Sequence, residues 1–214
     1  MRRRLYLEST ILSYLVAAPS RDLLVAAHQQ VTSDWWKTRR PGFEIYVSQL
    51  VLDEIAKGDP DIARRRIDAV KGIPLLEITK DVLDLATALV ASGIIPKKAG
   101  TDAAHIALAA VHNLDFLLTW NCTHIANAAI SRGIEEICRE RGIECPVICT
   151  PEELMGGYAM TRDPIVEEIR KNRQEIAARF KFDLKAIIAD AQKRQRSRGK
   201  RLVSFVHIGK KKTA

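Results

Sequence analysis

Five short apolar segments, separated by stretches with helical periodicity, constrain the fold of this chain more than any other feature. They are residues 4–7 (RLYL), 44–47 (EIYV), 74–78 (PLLEI), 115–120 (DFLLTW) and 146–149 (PVIC). Runs of this length, mostly bounded by Gly, Pro or charge, are typical of buried strands. Strands joined by one or two helices need crossover connections. The sequence therefore predicts an α/β fold with a mostly parallel sheet flanked by helices.

Local signals give the approximate limits of the helices. Ser20 is a candidate N-cap, and Asp59 followed by Pro60 places a cap residue before a proline at the first helical position. Gly93 and Gly142 follow two of the helical patterns, as glycine often does at helix ends. The predicted helices are residues 20–38, 49–57, 60–71, 80–92, 101–113 and 123–141, then 163–180 and 183–196.

Charge divides the chain into two parts. Residues 160–214 contain 16 Lys and Arg against 6 Asp and Glu, whereas the rest of the chain contains 18 against 20. Gly156 and Gly157 mark the boundary, so we expect a domain over residues 1–157 and a basic helical tail over 158–214. Residues 201–208 could be extended, and we expect the final KKKTA to be disordered. A basic tail beside a near-neutral domain indicates nucleic acid or an acidic surface as its partner, or simply a solvated tail.

Several classes of protein are disfavoured by the sequence. No apolar run reaches the roughly 20 residues that a membrane span needs. Glu8 interrupts the apolar N-terminal stretch too early for a secretory signal. We therefore expect a cytoplasmic protein with reduced, mostly buried thiols and no membrane association. A zinc site is also disfavoured, because the four cysteines form no CxxC pair and no histidine cluster accompanies them. The cysteines are Cys122, Cys138, Cys145 and Cys149.

Four polar side chains are expected at the same edge of the predicted sheet. Glu8 directly follows the first strand and Asn121 directly follows DFLLTW. Glu54 lies early in the helix after the second strand, and Asp102 lies at the start of the helix that leads into DFLLTW. Ligands of open parallel sheets bind beyond the carboxyl ends of the strands. The sequence therefore predicts a candidate site at this edge.

The three carboxylates of this site would repel one another without a counter-charge. A divalent cation resolves the repulsion, and oxygen ligands without Cys or His indicate Mg²⁺ or Mn²⁺. Such a metal can activate water and stabilise negative charge on phosphorus, which is nuclease chemistry. The amide oxygen of Asn121 could also bind the metal or its water.

Each of these residues also has a structural interpretation. Asp102 could cap its helix, and Asn121 could be a turn residue. Glu54 could be an ordinary exposed glutamate, with Asp53 as a rival ligand. His105, one turn after Asp102, could face the site, but a hydrogen-bonded structural histidine is the interpretation we favour.

At these residues the chain resembles the PIN-domain ribonucleases, specifically VapC-type toxins of toxin–antitoxin systems. The resemblance covers about residues 4–155 and rests on YLESTILSYL, SQLVLDEIAKGD and TDAAHIALAAVHNLDFLLTWNCTHIANA. It implies a three-layer PIN-like fold and a Mg²⁺-dependent endoribonuclease, often dimeric. It assigns catalytic positions to Glu8, Glu54, Asp102 and Asn121, with the first three as metal ligands. It assigns supporting hydroxyl positions to Ser9 or Thr10 and to Thr119.

The chain departs from the family pattern at two positions. Glu8 stands where an aspartate is usual, and Asn121 stands where the fourth acid is often an aspartate. A site with three carboxylates could hold one metal well and a second poorly.

The tail resembles the small antitoxin proteins encoded beside such toxins. This resemblance begins at Met160 and implies a helix laid over the nuclease, with an arginine directed at the acidic site in cis or in trans. The candidate arginines are Arg194, Arg196, Arg198 and Arg201. Two alternatives are nonspecific binding of RNA phosphates and a helix pair used for dimerisation.

The site residues together with the two resemblances imply a Mg²⁺- or Mn²⁺-dependent endoribonuclease, a homodimer restrained by its own antitoxin-like segment. The main alternative is a catalytically weak or inactive PIN fold that binds RNA or a partner without cutting. A toxin–antitoxin fusion that acts through DNA binding ranks third, because the tail has no clear DNA-reading motif.

Overall fold

The computed structural model describes residues 2–155 and 164–197. Its centre is a five-stranded sheet with the order β3-β2-β1-β4-β5, and every neighbouring pair of strands is parallel. The predicted α/β fold with a mostly parallel sheet flanked by helices is therefore confirmed. The strands are β1 (Arg3–Leu7), β2 (Phe43–Ser48), β3 (Leu75–Leu76), β4 (Phe116–Leu118) and β5 (Val147–Cys149).

Helices connect and flank the strands. α1 packs against α2, α3 and α4, and α5 packs against α6 and α7. Short 3₁₀ helices at Arg40–Gly42 and Lys97–Ala99 precede β2 and α6. The helices of the sheet region are α1 (Ser9–Val16), α2 (Leu23–Thr38), α3 (Gln49–Ile55), α4 (Pro60–Ala69), α5 (Lys80–Ala91), α6 (Gly100–Val111), α7 (Ala128–Glu140) and α8 (Pro151–Met155).

β1 occupies the middle of the sheet and fixes the position of the site. Leu5, Tyr6 and Leu7 are completely buried there. Leu5 pairs with Phe116 of β4, and the register continues until Leu7 pairs with Leu118. Because the two strands end together, the residues that follow them meet at one edge of the sheet. This register places Glu8 beside Thr119.

α6 is the most deeply buried helix of the sheet region. Every residue from His105 to Ala110 is at most 2% exposed. Small side chains explain this burial, since Ala103, Ala107 and Ala109 allow neighbouring elements to approach the helix axis closely. α6 carries Asp102 at its beginning and ends near Asn113, whose positive φ of 51° is typical of the residue that terminates a helix.

Several predicted boundaries were wrong. α2 is capped by Asp22 rather than Ser20, because the Asp22 carboxylate accepts the amides of Leu24 and Val25. α7 begins at Ala128, not at residue 123, because the Asn127 side chain caps it. The third strand is reduced to Leu75–Leu76. The short helices α1 and α8 were not predicted.

The chain divides into two compact units, Met1–Tyr158 and Ala159–Ala214. The described part of the second unit contains α9 (Pro164–Arg179) and α10 (Leu184–Ser197). In the turn between them, Lys181 and Phe182 have positive φ values of 52° and 62°. The Asp183 carboxylate accepts the amide of Lys185 at 2.8 Å at the start of α10. Residues 201–208, predicted to be extended, and the final KKKTA, predicted to be disordered, lie outside the described residues.

The structure also describes the thiols and the length of the apolar helices. All four cysteines are free, with Cys138 and Cys149 buried, Cys145 partly buried and Cys122 exposed. In residues 2–155 and 164–197, no helix has the length and apolar character needed to cross a bilayer.

Candidate metal centre

Glu8 is a buried carboxylate at the junction of β1 and α1. It caps α1 and is only 4% exposed. Its Oε1 accepts the Ser9 hydroxyl at 2.7 Å. Its Oε2 accepts the Thr119 hydroxyl at 2.7 Å, the Thr10 amide at 3.1 Å and the Thr10 hydroxyl. The predicted supporting hydroxyls of Ser9, Thr10 and Thr119 therefore all contact Glu8.

The direction of two of these hydroxyl bonds is fixed by the main chain. Thr10 Oγ1 accepts the amide of Trp120 at 2.8 Å, and Thr119 Oγ1 accepts the amide of Asn121 at 2.9 Å. Since each hydroxyl oxygen already accepts an N–H, its proton is free to point at Glu8. Hydrogen bonds that donate to a carboxylate stabilise its negative charge. The Thr10 and Thr119 hydroxyls thus hold the Glu8 carboxylate in a fixed orientation.

Glu54 is oriented by His105. The His105 Nε2 atom lies 3.3 Å from both carboxylate oxygens of Glu54. On the other side of the ring, Nδ1 lies 2.8 Å from the Tyr6 hydroxyl, which also contacts Ser48 Oγ at 2.6 Å. His105 is 1% exposed, so both ring nitrogens are used inside the protein. This chain of contacts holds the imidazole rigidly against Glu54.

Burial and hydrogen bonding act in opposite directions on Glu54. Partial burial raises its pKa, but the hydrogen bond and charge of His105 lower it, as do the Ser9 hydroxyl and the Lys57 ammonium. The favourable interactions prevail, so the pKa of Glu54 lies below its ordinary value. Burial raises the pKa of Tyr6 far above its usual range, so its phenol stays protonated at neutral pH.

Glu8, Glu54 and His105 form one cluster. Each offers one potential ligand atom, and these three atoms lie within 4.8 Å of one another. Glu8 and His105 are buried, and Glu54 is half-buried. Two carboxylates at this separation repel one another unless a positive charge lies between them. The cluster is therefore a candidate position for a cation.

Asp102 is paired with Asn121. The Asn121 Oδ1 atom accepts the amides of Thr123 at 3.3 Å and His124 at 3.1 Å, so the NH₂ group is the part left to donate to the Asp102 carboxylate. The reversed amide would place NH₂ against two N–H donors. The oxygen of Asn121, which was expected to be available to a metal, is therefore occupied by the main chain.

Asp102 resists ionisation more than a solvent-exposed aspartate does. Burial is the largest cause and raises its pKa, and the nearby negative charge of Glu8 adds to this effect. Hydrogen bonding from Asn121 and the charges of His124 and His105 oppose the rise, but the pKa of Asp102 remains above its ordinary value. An acid held in this state gains from the arrival of a cation.

The four predicted site residues lie at the same edge of the sheet, in two pairs. Glu8 and Glu54 belong to the cluster with His105. Asp102, which is hydrogen-bonded to Asn121, lies close enough to Glu8 for the two carboxylate charges to interact. The rival residue Asp53 is exposed and accepts the Gln49 amide at 2.8 Å within its own helix.

The predicted tail arginines are only partly described. Arg194 forms an ion pair with Asp190 at 2.7 Å within α10. The side chain of Arg196, together with Arg198 and Arg201, lies outside the described residues.

The donor set fits a hard divalent cation. Glu8 and Glu54 bring carboxylate oxygens, which Mg²⁺ and Mn²⁺ prefer, into the cluster, and the Asp102 carboxylate lies near Glu8 but is not one of the three clustered groups. His105 Nε2 already contacts the Glu54 carboxylate, so His105 is placed to orient Glu54 rather than to bind a metal itself. Residues that orient a metal ligand in this way are common around metal sites. His105 is indeed hydrogen-bonded, as the favoured interpretation held, but it also lies inside the cluster. The sequence signal for its position near the site was that His105 follows Asp102 by three residues, about one turn of α6.

Comparisons with known proteins add little to this geometry. No protein-family model and no curated protein sequence matches the chain. Among solved structures, the chain is similar to the crystal structure of VapBC2 from Rickettsia felis bound to a DNA fragment from their promoter. The match has 14% sequence identity and a TM-score of 0.43, and it covers 69% of this chain and 98% of that chain. A similarity of this strength supports no conclusion about activity.

Proposed function

We propose that this protein is a Mg²⁺- or Mn²⁺-dependent endoribonuclease of the toxin–antitoxin type. The observation that carries the proposal is the convergence of Glu8, Glu54 and His105 within 4.8 Å, with Asp102 near enough to interact with Glu8. Hydrolysis of a phosphodiester needs an activated water and a counter-charge for the oxyanion, and a divalent metal bound here supplies both.

The residues of the chain have separate roles in this proposal. Glu8, Glu54 and Asp102 hold the cation. Ser9, Thr10 and Thr119 orient Glu8, since all three hydroxyls contact its carboxylate. His105 orients Glu54, and Asn121 orients Asp102. Positioning of this kind is worth about 10- to 100-fold in metal affinity at well-studied centres.

Residues 158–214 act in this proposal as an antitoxin-like segment that restrains residues 1–157, in cis or between the two chains of a homodimer. The described part of the tail supports a partner-binding role, because α9, α10 and the turn between them carry several exposed apolar side chains along with their basic ones. These are Ile169, Ile176, Phe182, Leu184 and Ile188.

The proposal is tested by RNA digestion with three proteins side by side: the full chain, a chain without residues 160–214, and the Asp102→Asn variant. With Mg²⁺ or Mn²⁺, the truncated protein should cut RNA faster than the full chain, and Asp102→Asn should abolish cutting in both forms. A truncated protein that is folded but inert toward several RNAs with both metals would refute the proposal.

A second candidate function is a binding module that holds RNA or a partner without cutting. The orientation of Asn121 favours it, since an amide whose oxygen is occupied adds neither a charge nor a free ligand. Calorimetry with Mn²⁺ separates the two functions. A nuclease centre should show uptake that Asp102→Asn removes, whereas a degenerate centre should show none.

A further inference from the structure

A cluster of three aromatic rings, two of them stacked face to face, borders the candidate metal centre; we call it the stack. Trp120 lies between Thr119 and Asn121, and its indole is stacked on the His28 imidazole, with ring centroids 4.0 Å apart and planes 18° from parallel. Tyr14 approaches both rings, with its centroid 5.5 Å from His28 and 5.9 Å from Trp120. The three rings come from α1, α2 and the loop after β4.

Hydrogen bonds fix this stack relative to Glu8. The Trp120 indole N–H donates to Thr32 Oγ1 at 2.7 Å, and the Thr32 hydroxyl donates to the carbonyl of His28 at 2.7 Å. The main-chain N–H of Trp120 donates to the Thr10 hydroxyl, which in turn donates to Glu8. Tyr14 follows Thr10 by one helical turn, about 6 Å along the axis of α1. The stack therefore stands beside the centre in a set geometry.

The stack is open on its outer side. Trp120 is only 9% exposed and forms the inner ring, on which His28 is stacked. His28 and Tyr14 are partly exposed. Within residues 2–155, no ring other than Tyr14 and Trp120 packs against His28, and no hydrogen bond reaches its ring nitrogens. A flat ligand could extend the stack from His28 without displacing any of these contacts.

We infer that Tyr14, His28 and Trp120 form a binding position for one unpaired nucleobase next to the phosphodiester that is cut. The base stacks on the outer face of His28, with Tyr14 at its edge. Stacking on aromatic side chains is how proteins commonly hold single-stranded nucleic acid, and it tolerates different bases. This inference rests on the proposed function and adds the three side chains that hold the base beside the cut.

The same surface could instead receive an apolar partner. Leu24 lies one turn before His28 on α2 and is 74% exposed. The His28–Trp120 pair favours a base, because these two flat rings are already stacked nearly parallel and the outer ring, His28, is only partly buried. Leu24 provides the matched control, since it belongs to the same helix and is apolar but not aromatic.

The test uses the full chain and a short single-stranded RNA whose cut position has been mapped. Copies of this RNA carry one abasic nucleotide, placed in turn at each position around the cut. KM and kcat are measured with Mg²⁺ or Mn²⁺ for the native chain and for His28→Ala, His28→Phe and Leu24→Ala, after thermal unfolding has shown that each variant is folded.

With the native chain, one abasic position next to the cut should raise KM about tenfold, the usual effect of losing one stacked base. His28→Ala should raise KM on the intact RNA by a similar factor with little change in kcat. His28→Phe, which keeps a flat aromatic ring, should return KM to near the native value. On the abasic RNA, His28→Ala should cause no further loss, and Leu24→Ala should behave as native throughout.

The alternative outcomes are distinguishable. If RNA is cut but no abasic position changes KM, the inference is wrong and the proposed function stands; this holds even if His28→Ala does not fold. A loss with Leu24→Ala equal to that with His28→Ala would show that the effect does not depend on the aromatic ring, and would contradict the inference. If neither the native chain nor the chain without residues 160–214 cuts RNA with either metal, the proposed function fails, and the inference fails with it; if only the shorter chain cuts, the same comparisons are made with variants of that chain.

Discussion

At the scale of the residue, Asp102 and Glu54 show how neighbours decide the behaviour of two similar acids. Glu54 faces His105 and Ser9, which favour its charged form, whereas Asp102 is buried close to the negative charge of Glu8. The pKa of Glu54 is lowered and that of Asp102 is raised. One acid therefore stabilises the fold without metal, and the other costs stability until a cation arrives.

The two acids should respond in opposite ways to substitution at neutral pH in EDTA. Asp102→Asn should raise the free energy of unfolding by about 1 kcal/mol or less, because the penalty of a raised pKa is felt once pH exceeds it. Glu54→Gln should lower it by about 1 kcal/mol, because the stability from a lowered pKa is present at neutral pH and lost as pH falls through it.

Urea unfolding at pH 7 and at acid pH checks this prediction. Both differences should shrink below the pKa values of the two acids, where each is protonated in both the folded and unfolded states. Two variants that destabilise equally at pH 7 would contradict the description of Asp102. Mn²⁺ should then stabilise the native chain but not Asp102→Asn.

Asn121 offers a gain-of-charge experiment. In Asn121→Asp, one carboxylate oxygen can keep accepting the amides of Thr123 and His124, while the other meets Asp102 in place of the NH₂ donor. We expect lower stability in EDTA and about tenfold tighter Mn²⁺ binding by calorimetry, since the fourth charge is satisfied only by the metal. Unchanged Mn²⁺ affinity would mean that this position does not act on the metal, and Asn121→Ser, which adds no charge, is the control.

At the scale of the element, α6 couples packing to the site. Its buried alanines set how closely it approaches its neighbours, and Asp102 and His105 lie on its first two turns. A substitution that shifts α6 against its neighbours should therefore alter both the free energy of unfolding and the metal affinity, even when it changes none of the site residues.

Ala107→Leu tests this coupling. The added carbons have no space in a position that is completely buried, so the free energy of unfolding should fall by about 1–3 kcal/mol. Mn²⁺ affinity should fall as well, because Asp102 moves with the helix. Ala91→Leu, at the exposed end of α5, should change stability by no more than about 0.5 kcal/mol. Normal metal affinity in a destabilised Ala107→Leu protein would argue against the coupling.

The elements that could be predicted from sequence are those whose signals are local. β1 and α4 carry an apolar run or a cap-and-proline start, and they lie within two residues of the predicted limits. α1 could not be predicted, because STILSYLV is short and rich in β-branched and aromatic residues, and its cap is the site residue Glu8. Its helical form is imposed by packing on α2, α3 and α4.

The sequence indicated which polar residues gather at one edge of the sheet, but not the geometry of their contacts. The ends of parallel strands predicted that Glu8 and Asn121 would share an edge. Nothing local indicated that the Asn121 oxygen would be taken by two amides, or that His105 would bridge Tyr6 and Glu54. Both features depend on contacts between residues distant in sequence, which a single sequence does not reveal.

At the scale of the whole molecule, the question is how a basic tail could restrain an acidic site. The positive excess of the chain lies in residues 160–214, and the described tail helices also carry exposed apolar residues. Charge pairing and apolar packing respond differently to salt, because the Debye length falls to about 3 Å at 1 M. The proposed restraint can therefore be assigned to one of them.

If arginines of the tail occupy the acidic site, the gain in RNA cutting on removal of residues 160–214 should be large at low salt and should nearly vanish at roughly 1 M. Cutting rates of both proteins over a salt series measure this gain. The truncated protein serves as the control for the effect of salt on the reaction itself. If the gain in cutting does not change with salt, the restraint would be due to apolar residues such as Ile176 and Ile188 rather than to the arginines.

The placement of Trp120 has a practical consequence for all of these measurements. The chain has three tryptophans, of which Trp35 lies in the core and Trp36 lies beneath the Arg40 guanidinium. Of the three, only Trp120 is linked to the carboxylate of Glu8, through its main-chain N–H and the Thr10 hydroxyl. Its fluorescence should therefore change when a cation reaches Glu8, which would give this protein an intrinsic optical reporter of occupancy that needs no label.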